Sequence, residues 1–404
     1  MCMARYFLRN GLTVIEEKKH SDTVTIEASV KSGSNYEKKG IRGVSHFIEH
    51  MVFEGTKNRK NSREISNEIE SLGGELNAFT NNVRTSFYIK VPKKHFIKAV
   101  EILSDILINP LFRQEDMEKE RKVILKEINI FNDESRYYQW ILFLGYLYDN
   151  HPSKYPVYGS REDVANISRK QIISYFNRYY SACNTIISVV GDVPASKDVL
   201  EKYFGSFRQG KRQKAAEFHE KASSKPKITS IKRKNSNSYM VFGYKTVPRL
   251  HPDSYVLDVI QAIFGRGQSG KIFDEIRNKR GLAYEVGVQH ECSTDFGYFA
   301  IYLSSDRENL MLIKKLILDE ISRLDSLTEK EIRESIGYVE GKYILDNEDT
   351  QERADILNYW EMVQSADLER GYLKKIKKVT KSDILRAARK YLTKNYTMAV
   401  IEQH

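Results

Sequence analysis

GVSHFIEHMVFEG, residues 43–55, sets two histidines four positions apart with a glutamate between them. On a helix, positions i and i+4 share one face about one turn apart, so the imidazoles of His46 and His50 can reach one ion. Glu49, three residues after His46, borders that face, where a general base would stand beside a metal. The same letters also fit an ordinary amphipathic helix with two partly buried, hydrogen-bonded histidines. The surrounding sequence has to decide.

This helix belongs to a series that occurs twice. The first series runs from strand TVTIEASVKSGS through this helix and helix SREISNEIESLGG to strands ELNAFTN and RTSFYIKVP. The second runs from SYMVFGYKTVP through helices SYVLDVIQAIFGRG and KIFDEIRNKRG to strands LAYEVGVQHEC and GYFAIYLSS. Both continue into a long helix, HFIKAVEILSDILI or NLMLIKKLILDEISRL, and both end in an apolar strand, NTIISVVGDV or YTMAVIEQ. Strands followed by helix pairs and more strands predict an α+β fold of two duplicated domains. Each would be a mainly antiparallel β-sheet with helices packed on one face. A lysine- and serine-rich stretch near the midpoint marks the join, giving domains 1–210 and 236–404 with a linker at 211–235. Aligning Phe53 with Phe264 sets Leu257, Ile260 and Gln261 where the first copy has His46, Glu49 and His50. A polar trio needed for folding would stand in both copies. Only one has it, which favours function.

Composition narrows the class. A chain of 404 residues, 41% hydrophobic and 29% charged, reads as a globular protein of more than one domain. The net charge of +11 comes from lysines scattered among glutamates, as in EDMEKERKVILKE, and not from a basic stripe. That pattern describes a solvated surface and speaks against nucleic-acid binding. Cys2, Cys183 and Cys292 are odd in number and far apart, which predicts a reducing, cytoplasmic setting and no cysteine metal site. The N-terminal residues carry no apolar core of a secretory signal, and WILFLGYLY at 140–148 is too short to span a bilayer. No membrane association is expected.

A metal site needs a third ligand. In EKERKVILKEINIF, Glu120, Ile124, Glu127 and Phe131 follow helical spacing and share a stripe. Two carboxylates on an apolar stripe are costly to bury unless a positive charge meets them. Solvent or the neighbouring lysines could equally satisfy them at a rim, and helical spacing does not choose between the two acids.

HxxEH inverts the HExxH order of thermolysin-like enzymes, and here 76 residues separate His50 from Glu127. Together these resemble the signature of the inverzincin zinc metallopeptidases, the family of pitrilysin, insulin-degrading enzyme and mitochondrial processing peptidase. ERKVILKEI is similar to that family's third-ligand helix. The resemblance implies one zinc per chain held by His46, His50 and Glu127, with Glu49 as catalytic base and Glu120 supporting a ligand from behind. It runs through nearly the whole chain, including the degenerate second copy. GGELNAFTNN, 73–82, resembles the family's substrate-binding edge strand, which implies that Asn77, Ala78 and Phe79 lie beside the scissile bond. An extended peptide can add to such an edge through main-chain hydrogen bonds. EIRNKRGLAY is similar to the segment whose arginine, and a tyrosine seven residues later, contact substrate at the active site; these would be Arg277 and Tyr284. A guanidinium and a phenol suit a peptide carbonyl and its developing oxyanion. The short chain also looks like half of the four-domain enclosure of the longest members, which implies a homodimer with shared active sites.

The expected function is therefore a zinc-dependent endopeptidase acting on short or unfolded peptides. A non-catalytic scaffold subunit, as in relatives that lost the metal residues, is the alternative that an intact site argues against. A third reading is nucleotide binding, because Gly265, Gly270 and Lys271 satisfy GxxxxGK. Ile272 stands where Ser or Thr should hold magnesium, and the residues before Gly265 read as helix.

Overall fold

The apolar alternation of the sequence becomes two sheets. The computed structural model describes residues 3–194, 196–214 and 218–404; Cys2 and three residues of the expected linker, 215–217, lie outside them. The first sheet has six strands: β1 (Met3–Phe7), β2 (Thr13–Lys18), β3 (Thr23–Val30), β4 (Glu75–Thr80), β5 (Thr85–Pro92) and β6 (Thr185–Gly191), in spatial order β1-β2-β6-β3-β5-β4. Only β2 and β6 run parallel. The second sheet has five: β7 (Lys227–Arg233), β8 (Ser238–Lys245), β9 (Ala283–Cys292), β10 (Gly297–Ser305) and β11 (Thr397–Gln403), in order β7-β11-β8-β10-β9. Here only β7 and β11 are parallel. The sheets are mainly antiparallel, as the repeated pattern predicts.

In the first unit, helices α1 (Val44–Val52), α2 (Ser62–Glu70), α3 (Phe96–Ile108) and α4 (Gln114–Asp133) supply the core with the inward residues of β3 and β5. Helix α2 starts where the Asn61 side chain accepts the Glu64 N–H, the usual satisfaction of an orphan donor at a helix start. Helix α1 buries Phe47, Ile48, Met51 and Val52, each contributing about 1.5–3 kcal/mol on transfer from water. That anchorage leaves His46, Glu49 and His50 on the opposite, half-open face.

Each unit is completed by a helix from beyond the midpoint stretch. Contacts divide the chain into Met1–Asn129, Pro156–Ala216 and Leu345–Glu369 in one unit, and Ile130–Tyr155, Glu217–Ile344 and Arg370–His404 in the other. A simple cut at 211–235 does not assign these exchanged segments. Helix α5 (Ser135–Leu147) packs on β8 and β11 of the second sheet, with Phe143 at Gly243 and Trp140 against Tyr298 and Tyr302. On the other face of that sheet Phe264, from α6 (Asp253–Gly265), meets Phe299. In return α7 (Thr350–Val363) packs on β3 and β6 of the first sheet.

The seat of α7 is half apolar and half polar. Ile15, Ile186 and Val190 meet Ala354, Leu357 and Met362. Alongside, the Arg353 guanidinium donates to Glu17 at 2.8 and 2.6 Å and to Glu369 at 2.8 Å. Thr25 and Thr350 share a hydroxyl bond of 2.9 Å, and Arg84 donates to Asp355 at 2.7 Å. Glu27, fully buried among them, is left 3.9 Å from Arg84, with one carboxylate oxygen unpartnered.

Candidate metal centre

Helix α1 has no side-chain cap of its own. Gly43, at its N-terminal boundary, takes the left-handed φ of 90° that glycine permits, and a Cβ there would lie 2.4 Å from the Tyr158 carbonyl. Glu37 caps the helix from upstream: its carboxylate accepts the Gly43 N–H at 2.7 Å and the Ser45 N–H at 2.8 Å. Burial pushes the Glu37 carboxyl up to about 8, against the pull of those two backbone bonds. Helix α4 is fixed against the same helix by Arg121, which stacks over Phe47 and donates to the carbonyl of Ile167 at 2.8 Å.

These anchors bring three donors together. The Glu127 Oε2 lies 3.7 Å from His46 Nε2 and 3.6 Å from His50 Nε2, and the two rings meet edge-on with centroids 4.7 Å apart. Those separations are too long for hydrogen bonds. They match the edges of a tetrahedron around zinc, about 3.3–3.6 Å for ligand bonds of 2.0–2.2 Å. The Glu127 Oε2 and His46 Nδ1 are buried and without hydrogen-bond partners. Behind His50, Glu120 Oε2 sits 3.0 Å from Nδ1, and Lys119 bridges Glu120 at 3.6 Å and Glu54 at 2.8 Å. Two imidazoles and a carboxylate with one imidazole braced from behind form a donor set that suits zinc.

The electrostatics also ask for a cation. Burial, joined by repulsion from His50, lowers His46 to about 4, so its ring is a neutral donor. Burial pulls His50 down as well, but the hydrogen bond to Glu120 and the facing Glu127 carboxylate carry it up to about 9. Without a metal, then, a proton on His50 balances the cluster. The His50 ring, 3.6 Å away, holds Glu127 below the usual carboxylate range. Burial raises Glu49, against the pull of a hydrogen bond from the Thr80 hydroxyl.

Asn77, Ala78 and Phe79 occupy β4, which pairs only with β5 and forms the free edge of the first sheet. The Asn77 side chain accepts the Ala78 N–H at 2.8 Å. Thr80, next along β4, links this strand to Glu49. No local signal in the sequence pointed to Thr80 or Glu37, since each acts on α1 from another element. Arg277 and Tyr284 belong to the second unit, where the guanidinium stands 5.1 Å from the centroid of the exposed Tyr284 ring.

Comparison with known proteins places this arrangement. Residues 12–155 match the family model described as insulinase (peptidase family M16), and residues 166–337 match one described as the peptidase M16 inactive domain. An uncharacterized zinc protease of Bacillus subtilis is 31% identical over 357 residues, covering 86% of this chain and 85% of that protein. The chain belongs to peptidase family M16. Another relative, an uncharacterized zinc protease of Rickettsia felis, is 31% identical over 80% of this chain and 78% of its own length. Among solved structures, a protease from Helicobacter pylori superposes with a TM-score of 0.93 at 22% identity, covering 99% of both chains. A Pseudomonas fluorescens structure titled as a peptidase M16 inactive domain gives 0.90 at 16% identity, covering 100% of this chain and 98% of its own. At these identities the likeness is one of fold.

The second M16 repeat carries a different polar cluster at its helix–edge-strand junction. Asp258 on α6, with His290 and Cys292 on β9, also forms a buried donor set. There the Asp258 carboxylate already receives Arg249 at 2.7 Å, Tyr372 at 3.0 Å and the His290 ring at 2.8 Å. A guanidinium in contact with the would-be ligand opposes a cation, so this set is an ion-pair network. The GxxxxGK stretch follows a helix, α6, and Lys271 is held at 2.5 Å by Glu331. It has neither the preceding strand nor the free lysine of a phosphate loop. No helix among the described residues is long and apolar enough to cross a membrane.

Proposed function

We propose that this chain is a zinc-dependent endopeptidase that hydrolyses peptide bonds in short or unfolded polypeptides. The carrying observation is the convergence of His46, His50 and Glu127 on one point, with Glu49 beside them and hydrogen-bonded to an edge strand. His46, His50 and Glu127 would hold one zinc per chain, which when bound supplies a Lewis acid for the carbonyl and for water. Glu49 takes a proton from the attacking water and delivers it to the leaving amine; its raised carboxyl suits both halves of that cycle. Glu120 accepts from His50 Nδ1–H, which keeps the Nε2 lone pair directed at Glu127's side of the cluster. The free edge of β4 receives the substrate as an added strand, with Asn77, Ala78 and Phe79 beside the bond to be cut. A substrate carbonyl would take over the Ala78 N–H now satisfied by Asn77. Only an extended chain can pair in this way, so folded proteins are poor substrates.

Arg277 and Tyr284 would steady the carbonyl oxygen as it gains charge, supplied across a homodimer. The scaffold alternative draws only on residues 166–337, which match the family's inactive domain and carry Leu257, Ile260 and Gln261 where the first copy has His46, Glu49 and His50. The test pairs metal analysis with cleavage of a quenched peptide. The wild type should hold zinc and cut the peptide. Glu49→Gln should keep its zinc and lose about 100-fold or more of the rate. Zinc lost from that variant, or turnover near normal, overturns the assignment.

A further inference from the structure

We infer that Thr80 is a positioning residue for the base, fixing the Glu49 carboxylate and tying its orientation to the strand that receives the peptide. The inference rests on the peptidase reading above and deepens it.

Three hydroxyl and carbonyl groups set the geometry. Thr85 donates to the Ser32 carbonyl at 2.7 Å, which commits its one proton. Its oxygen is left as an acceptor facing the Thr80 hydroxyl, 3.2 Å away. Thr80 therefore has two acceptors and one proton: Thr85 Oγ1 on one side and Glu49 Oε2 on the other. While Glu49 is a carboxylate, the Thr80 proton points at Oε2, which leaves Oε1 to meet water. When the water's O–H bond breaks and a carboxyl O–H forms, Thr80 can turn its proton to Thr85 and accept from Glu49. When that carboxyl O–H breaks and an N–H forms on the leaving amine, the hydroxyl turns back. Its own O–H bond stays intact throughout, so Thr80 carries no net proton. The hydroxyl thus gives Glu49 a partner in both charge states, in a half-buried place where an unpartnered polar group is costly.

Position makes the contact more than a local bond. Thr80 ends β4 and pairs with Thr85 of β5, so the base is braced by the same strand that presents Ala78 to a peptide. A shift of that strand moves the base with it.

Thr80→Val removes the hydroxyl and keeps a β-branched residue on the strand, whereas Thr80→Ser keeps the hydroxyl. Thr80→Val should retain zinc, hold KM within about twofold and lose about tenfold or more in kcat, since misdirecting a reacting group costs rate more than binding. Thr80→Ser should recover most of that kcat. A second readout needs no turnover: in metal-free protein, the loss in urea midpoint caused by Thr80→Val should shrink in a Glu49→Ala background. Unchanged kcat in Thr80→Val, a change confined to KM, failed rescue by serine, or additive midpoints would each overturn the role. A zinc-loaded wild type that cuts no peptide overturns the peptidase reading and this role together. An active wild type with an indifferent Thr80→Val overturns Thr80 alone.

Discussion

Glu120 and Glu127 show what helical spacing can and cannot tell. Seven residues apart on α4, they share a stripe, and from sequence alone either could be a ligand. In the folded chain they meet different atoms of one ring: Glu120 contacts His50 Nδ1, and Glu127 faces Nε2 of both histidines. Glu127→Gln should strip zinc or weaken its affinity severely. Glu120→Gln should weaken it less, by about 10–100-fold, as losses behind a ligand do. Zinc content after dialysis against a mild chelator ranks them, and the reverse order would make Glu120 the ligand. His46, Glu49 and His50 were legible because one helical turn holds them. Thr80 and Glu37 were not, because a strand and an upstream loop bring them to α1 and neither leaves a periodic trace.

At the scale of elements, β3 was legible on one face only. Its apolar residues Val24, Ile26, Ala28 and Val30 enter the core as alternation predicts. An arrangement with helices on one face would leave Thr25, Glu27 and Ser29 to solvent, yet all three are buried beneath α7. The reason is that α7 lies more than 300 residues along the chain and covers them with polar partners, so neither element advertises the contact. Burial, and then repulsion from Asp355, raises the Glu27 carboxyl to about 8 despite Arg84 nearby. A raised folded-state value means that the folded chain keeps a proton the unfolded chain loses. Glu27 therefore favours folding in full below about pH 4.5, and that contribution is lost as pH climbs through about 8. Glu27→Gln should accordingly melt closer to the wild type at pH 5 and progressively above it by pH 9. A difference in melting temperature that stays flat across this range would show that Glu27 is ionised in place.

For the whole molecule, the open question of function is whether one chain completes its own site. Mixing Glu49→Gln with Arg277→Ala and letting subunits exchange separates the possibilities. In a mixed dimer with shared sites, the intact zinc centre of one subunit meets the intact arginine of the other. Random exchange gives half mixed dimers with one good site of two, so about a quarter of wild-type activity should return. If Arg277 serves its own chain, no complete site forms. Absence of recovery after confirmed exchange would remove the shared-site proposal.

The traded helices α5 and α7 bear on why a repeat without the histidine–glutamate trio persists at all. A tandem duplication ordinarily leaves two beads on a string, and the idle bead can be discarded. Here each bead is finished with a length of the other's string. An isolated fragment ending before the second repeat would lack α7, leaving Ile15, Ile186 and Val190 bare, Glu17 without Arg353 and Arg84 without Asp355. Deleting the second copy would therefore unroof the first. The second half is retained by the architecture of the first, whatever it does for substrate.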